Sequence, residues 1–251
     1  MALVVVDEAS STQDEVWALL RGGAGAPLWL MARRQTAGRG RMGRRWQAEE
    51  GNLAASVGLR MAAGAELAQL SFVAALALHK GLRKVMGDAG EDELLLKWPN
   101  DLLLGGRKVG GILLESETSP GAGEALVVIG FGVNLARAPR GEVRWPAAAL
   151  AERGPRVGPD ELMGALMESF GRWLETWRER GFGPLRAAWE KRAWGMGARM
   201  ALDSGGEVAE GIFRGLDDDG AMRLEIAPGR VMSFHAGEVR HVREARGRGE
   251  G

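Results

Sequence analysis

The chain has 251 residues, 45% of them hydrophobic, which is enough for one large domain, or a domain and a small appendage, around a proper core. Lys plus Arg and Asp plus Glu balance at 33 each, so no global field is available to hold a nucleic-acid backbone and any basic patch is local. The absence of cysteine excludes disulfides, thiolate metal sites and a thiol nucleophile, and three scattered histidines, His79, His235 and His241, speak against a zinc cluster or a histidine-based triad.

The apolar start at residues 2–6 is too short for a signal peptide and is closed by Asp7; no run approaches membrane-spanning length, so the expected location is the cytoplasm. Residues 3–6 read as a short strand. A helix then runs from Thr12 to about Leu20, its start marked by Thr12-x-x-Glu15 as a capping box, and on that reading Ser11, Thr12 and Gln13 serve as cap residues. Residues 22–27 form a loop, and residues 28–32 a buried strand that delivers the chain to Gln35 and to Gly38-Arg39-Gly40-Arg41-Met42-Gly43-Arg44-Arg45-Trp46. This stretch has no apolar periodicity and is predicted to be a loop. Glycine lets the backbone approach a ligand closely, and the arginine fork suits phosphate or carboxylate. Together they suggest a cradle for an anion, with a solvated basic loop as the plain alternative. Gly38-x-Gly40-x-x-Gly43 also fits the dinucleotide fingerprint, but Gln47-Ala48-Glu49-Glu50-Gly51-Asn52 follows where an apolar helix is required, so that reading is rejected.

Residues 52–60 alternate as a strand, and residues 66–86 form a long amphipathic helix with Leu67, Leu70, Val73, Ala74, Ala77 and Leu78 on its apolar stripe. His79 on that helix has no partner by spacing and reads as packing or surface. Residues 93–98 form a strand, broken by Pro99-Asn100-Asp101 and resumed at Leu102-Leu103-Leu104. Gly105-Gly106 signals a hairpin into a returning strand over 107–115. Gly110 and Gly111 inside it should mark close approach of a ligand or another backbone. A turn over 116–124 leads to a strand over 125–133 containing Gly130 and Gly132 and ending at Asn134. Residues 137–158 read as a long irregular connection carrying Trp145. Helices follow over 160–179, with Leu162, Leu166, Phe170, Trp173, Leu174 and Trp177 inward, and over 184–193. From Ala198 onward, short alternating stretches lie between turn signals at 203–206, 217–220 and 228–229. They predict a small all-β barrel of about 45 residues, then a frayed tail over 244–251.

Only five lysines accompany 28 arginines, and Lys97 and Lys108 fall close together, as a site wanting a compact point charge would place them; chance placement explains the pair as well. Taken in order and spacing, Ser11-Thr12-Gln13, the Gln35 to Trp46 stretch, Lys97-Trp98-Pro99-Asn100-Asp101, Arg107-Lys108-Val109-Gly110-Gly111-Ile112-Leu113-Leu114-Glu115 and Gly130-Phe131-Gly132-Val133-Asn134 resemble the biotin protein ligases. The resemblance implies an α+β fold of the class II synthetase-like biotin/lipoate ligase type. A catalytic domain on a mixed sheet would occupy residues 1–195, and an SH3-like barrel residues 196–243.

It also implies two steps: biotin and ATP give biotinyl-5'-adenylate and pyrophosphate, with Mg²⁺ on the phosphates, and a lysine of a carrier domain, typically of acetyl-CoA carboxylase, then takes the biotin. By the same resemblance Lys108, Arg39 and Asp101 are catalytic. Arg39, Arg41 and Lys108 would lower the repulsion between carboxylate and α-phosphate. Asp101 would be a base or positioning group for the acceptor lysine, or only a turn residue after Pro99. Biotin falls to Ser11, Thr12, Gln35, Gly38, Arg39, Arg41, Lys108, Gly111, Ile112 and Leu113. The nucleotide falls to Arg39, Arg41, Trp46, Asn100, Lys108, Gly130, Asn134 and Trp145, the last by stacking. No protein cluster is expected to hold the metal. Gln13 departs from the asparagine commoner in that family.

Repressor members carry a winged helix-turn-helix ahead of the Ser-Thr motif. Only ten residues precede Ser11 here, so a ligase without specific DNA binding and without a membrane partner is expected. Homodimers are common in the family. Two rivals remain: a lipoate or octanoate ligase or transferase of the same fold, against which stand the arginine cradle and Lys-Trp-Pro-Asn-Asp, and a nucleic-acid module stacking bases on its tryptophans, against which stands the zero net charge.

Overall fold

The computed structural model describes residues 2–87, 93–118, 123–139, 145–153 and 156–242. In chain order the elements are β1 (Ala2–Ala9), α1 (Thr12–Arg21), β2 (Leu28–Gln35), β3 (Leu53–Ala62), α2 (Leu70–Met86), β4 (Leu94–Lys97), β5 (Asp101–Leu104), β6 (Arg107–Thr118), β7 (Glu124–Val133), α3 (Pro159–Arg180), α4 (Gly183–Glu190), β8 (Arg199–Asp203), β9 (Val208–Leu216), β10 (Met222–Ala227), β11 (Arg230–Phe234) and β12 (Glu238–His241). The first seven strands form one mixed sheet in the order β1-β2-β3-β7-β6-β5-β4, parallel only between β1 and β2. Among the described residues no helix is long and apolar enough to cross a membrane.

Local chemistry accounts for the element ends. Ser11, not Thr12, is the N-cap of α1, its Oγ accepting the Asp14 N–H at 3.4 Å. Thr12 is thereby left inside the first turn, where its side chain faces the sheet. Gly105 and Gly106 both take positive φ, 57° and 74°, which a two-residue hairpin turn demands and other residues resist. Helix α2 is buried on nearly all sides, with Phe72, Leu76 and Leu82 inside as well as the expected stripe, because it lies between the sheet and α3. Gly81 permits that packing: a Cβ there would sit 3.3 Å from the Leu166 backbone nitrogen of α3. Strand β6 runs on to Thr118, into the predicted turn. Residues 119–122 of that turn, 140–144 and 154–155 of the long connection, and the 244–251 tail lie outside the described residues.

The second sheet corrects the expected barrel. Its order is β11-β10-β9-β8-β12, with β11 and β12 at opposite edges, so it is open and no SH3-like barrel forms. A closed barrel needs every strand to turn one face inward, and β11 buries no residue. The apolar face of β8 to β10 is covered by the rest of the molecule instead. Phe213 meets Trp189 edge-on at 6.5 Å, Trp189 meets Phe72 at 5.7 Å, and the Trp98 indole N–H donates to the Gly220 carbonyl at 3.1 Å. Met200, Leu202, Phe213, Met222 and Leu224 therefore belong to the same apolar cluster as α2 and the large sheet.

His79 proves to be buried, its Nε2–H donating to the Leu94 carbonyl at 3.0 Å. Burial, the largest cause, lowers its pKa from 6.5 to about 4. Between those values the unfolded chain binds a proton that the folded protein refuses. The stability tied to the neutral ring is thus fully present above pH 6.5 and is lost as the pH falls toward 4. At ~1.4 kcal/mol per pH unit the loss is on the order of 3 kcal/mol. Urea unfolding at stepped pH should show the wild type weakening over this window more than His79→Gln, which keeps a donor but cannot titrate. Equal pH slopes for the two proteins would refute the assignment.

Candidate active site

Where β2 ends and the hairpins of β4 to β7 converge, a cleft of about 810 Å³ opens under the arginine loop. Every residue expected at the site lines it except Gly38. Gly38 forms the neck of the loop instead: its carbonyl accepts the Trp46 N–H at 2.8 Å, and a Cβ there would strike the Gln35 side chain and come within 2.9 Å of the Trp46 carbonyl. Arg39 and Arg45 bridge across the loop, which turns tightly at 41–43 with exposed Met42 in the left-handed region at φ 58°.

The floor is made by the strand glycines. Gly111 of β6 and Gly132 of β7 are register partners, and the Trp46 indole lies on them: a Cβ on Gly132 would collide with the ring, and one on Gly111 would stand 3.4 Å from it. The indole nitrogen is buried and finds no hydrogen-bond partner among the described residues. One wall is a polar relay. The Thr12 N–H donates to Gln35 Oε1 at 2.9 Å and its hydroxyl donates to the same oxygen at 3.2 Å, so Ser56, fully buried 2.9 Å away, must donate to Thr12. Gln13 Nε2 donates to the Leu113 carbonyl at 3.3 Å, while its Oε1 fills the space a Cβ on Gly130 would need.

The opposite wall carries charge. Asp101 Oδ1 is 2.5 Å from Lys108 Nζ and its Oδ2 is 3.8 Å from Lys97 Nζ. Burial is the main cause that pulls both Lys97 and Arg41 below their usual pKa, with Asp101 opposing it. The Lys97 ammonium lies 4.5 Å from the centre of the Trp145 ring, and Trp145 is braced edge-on by Trp194 at 5.3 Å. Arg39 bonds to Asp14 at 2.6 Å and Glu115 at 3.2 Å, the Asp14 bond chiefly raising its pKa further above the ordinary value.

The two expected asparagines line the cleft but also hold its frame. Asn134 Nδ2 donates to the Ala148 carbonyl at 3.1 Å, and Asn100 Nδ2 donates to the Ile112 carbonyl. Three features escaped the sequence reading. Ser56 looked like an ordinary outward position of β3. Asn52 ended a polar run, yet its Oδ1 accepts the N–H groups of Leu135, Ala136 and Arg137. The segment at 203–206 read only as a turn between short strands and 236–238 carried no signal, yet both line the cleft, with Arg44 reaching Glu238 at 3.1 Å.

Chemically, Arg39, Arg41, Arg44, Arg45, Lys97 and Lys108 face Asp101, Asp203 and Glu238, beside apolar walls from Trp46, Ile112, Leu113 and Phe131. Such a cleft suits a ligand that is anionic at one end and mostly apolar at the other. No group of three acidic, imidazole or thiol side chains that could hold a metal occurs among the described residues.

Residues 7–134 match the Biotin/lipoate A/B protein ligase family and residues 199–242 the Biotin protein ligase C terminal domain. The chain is 44% identical over 226 residues to a biotin–[acetyl-CoA-carboxylase] ligase of Paracoccus denitrificans, covering 88% of this chain and 92% of that one. It is 34% identical over 250 residues to the enzyme so named in Mycobacterium tuberculosis, covering 96% and 89%. Among solved structures, the biotin protein ligase of Aquifex aeolicus in complex with biotin and ATP superposes with a TM-score of 0.80 at 25% identity, covering 96% and 99%.

The glycine floor predicts its own test. Gly132→Ala puts a methyl where the indole lies, so Trp46 must lift. Acrylamide should then quench Trp46 fluorescence, isolated by subtracting the Trp46→Phe counterpart, more strongly than in the parent protein. Unchanged quenching would mean that the ring does not depend on that glycine.

Proposed function

The chain belongs to the biotin/lipoate A/B protein ligase family, and from that premise we propose how its cleft carries out ATP-dependent biotin protein ligation. The carrying observation is the convergence, around one glycine floor, of a polar relay, an apolar wall and an excess of cations. In the first step the biotin carboxylate attacks the α-phosphorus of ATP, the bond to the β-phosphate breaks, and pyrophosphate leaves. Two anions must meet, so fixed positive charge lowers the barrier.

Lys108 is proposed to release Asp101 and meet the carboxylate and α-phosphate. Arg39 would exchange Asp14 and Glu115 for the adenylate, since a guanidinium already held at two carboxylates is oriented without being buried. Ser11, Thr12 and Gln35, with the Gly111 to Leu113 backbone, are assigned to the biotin head. Trp46 would shield the acyl phosphate from water, with its unpartnered N–H as a donor to the ligand. Asn100, Gly130, Asn134 and Trp145 are assigned to the nucleotide side. No acidic cluster that could hold a metal occurs among the described residues, so in this proposal a Mg²⁺ ion would arrive on the triphosphate, since this ion keeps its waters and favours phosphate oxygens over all-protein cages. Bound there, it would offset phosphate charge, and no side chain of this protein is assigned to hold it.

In the second step the acceptor lysine of a biotin carboxyl carrier domain, that of acetyl-CoA carboxylase in the present proposal, bonds to the acyl carbon and AMP departs. Asp101 receives or orients the amine proton.

Labelled pyrophosphate should exchange into ATP only when biotin is present, and without any carrier. Exchange that proceeds equally without biotin, or equally with lipoate, would overturn the reading.

The two cations should fail differently. Lys108→Ala should lower single-turnover adenylation by roughly 10²- to 10³-fold, as deleting one electrostatic donor does elsewhere. Arg39→Ala should still form adenylate but release it faster, so that lysines of unrelated proteins become biotinylated. Normal adenylation by Lys108→Ala, or tight retention by Arg39→Ala, would refute this division.

A further inference from the structure

Lys97 is the one cleft lysine that the reaction scheme leaves without work, and its surroundings are unusual. It lies on β4 as the cross-strand partner of Asp101, and its side chain is only 4% exposed. An ammonium taken out of water is strongly disfavoured unless it is compensated. Here the compensation comes from Asp101 and from the Trp145 ring that covers it. The other charges acting on it are Glu238, which favours it, and Lys108 and Arg41, which oppose it. Asp101 is thus shared. One oxygen faces Lys108, which is 27% exposed on β6, and the other faces Lys97, which has almost no freedom to move.

We propose that Lys97 is a positioning residue, the fixed counter-ion that holds the Asp101 carboxylate in place for acyl transfer once Lys108 has turned to the reacting groups. The inference rests on the ligase reading above. Without Lys97, the departure of Lys108 would leave Asp101 with no salt-bridge partner among the described residues at the moment it is needed, with phosphate charge beside it. Held by Lys97 through Oδ2, the carboxylate keeps Oδ1 directed toward the cleft. The acceptor nitrogen then bonds to the acyl carbon, the C–O bond to phosphate breaks with its electron pair passing to AMP, and the amine proton passes to Asp101. Lys97 cannot follow Lys108 to the phosphates, because its stem is packed and the Trp145 ring blocks its ammonium.

The test uses the full chain as Lys97→Met and Lys97→Arg, with two readouts. Pyrophosphate exchange reports folding and the first step. Single-turnover transfer from preformed biotinyl-adenylate to a carrier domain reports the second. Lys97→Met, which keeps the stem and removes the charge, should slow transfer at least ~10-fold more than it slows exchange. The loss should fall on the limiting transfer rate, with the carrier concentration at half-saturation unchanged. Lys97→Arg should recover most of the loss. Equal losses in both steps would instead make Lys97 a phosphate ligand, and they overturn the proposal, as do normal transfer by Lys97→Met or an arginine variant no better than methionine. Should Lys97→Met not fold, Lys97→Gln takes its place with the same criteria. Wild-type protein lacking biotin-dependent exchange would overturn the ligase reading and this inference with it.

Discussion

The close contact between a flat ring and a bare stretch of sheet is the constraint on which the site depends. Strands β6 and β7 pair Gly111 with Gly132, and removing two Cβ atoms from facing positions leaves a shelf on which the Trp46 indole can lie. Glycines weaken a strand by leaving nothing to pack. The cost is tolerated here because neighbouring positions on the same strands, Ile112, Phe131 and Val133, are buried and carry the apolar contacts. The indole in turn fixes the far end of the arginine loop. The near end is fixed by the Trp46 N–H to Gly38 carbonyl bond, so the loop closes on itself before any ligand arrives.

Electrostatics then divides the cleft into cations paired at the surface and cations held against burial. Arg39 and Arg44 have carboxylate partners at the surface, where exchange for a ligand costs little because solvent screens both states. Lys97 and Arg41 are held where burial disfavours their charge, and Asp101 opposes that penalty at both, with the Trp145 ring also covering Lys97. Asp101 sits at the boundary between the two groups. Its position follows directly from topology, since the β4–β5 hairpin sets it opposite Lys97 and the β5–β6 hairpin sets it opposite Gly111.

Most of the site was legible because it lies in contiguous motifs whose residue types are odd for their setting: arginines among glycines, glycines inside strands, a rare lysine. What stayed hidden depends on pairing across long separations. Ser56 matters only because β3 lies beside β2 and under α1, and nothing local distinguishes it from any serine in a strand. Asn52 acts on a backbone more than 80 residues away. The N-cap was misplaced by one residue because Ser11 and Thr12 are equally good cap types, and the choice was made by Thr12 being drawn to Gln35. The barrel was misjudged because strand and turn signals report the period of short strands but not whether the outer two meet. That is decided by what covers the apolar face, here Trp189, Phe72 and their neighbours.

The open sheet also explains how the far end of the chain reaches the cleft. Because β12 pairs antiparallel with β8, Glu238 falls directly opposite Asp203, and the turns that carry them come to lie together against the arginine loop. Gly237 lets them approach, since a Cβ there would press on Leu202 and on the Asp203 carbonyl. The link from this edge to the loop is the Arg44–Glu238 pair, with both side chains partly exposed. A pair of that kind is worth only about 0.2–1 kcal/mol. It therefore biases the loop toward the C-terminal sheet without locking it there.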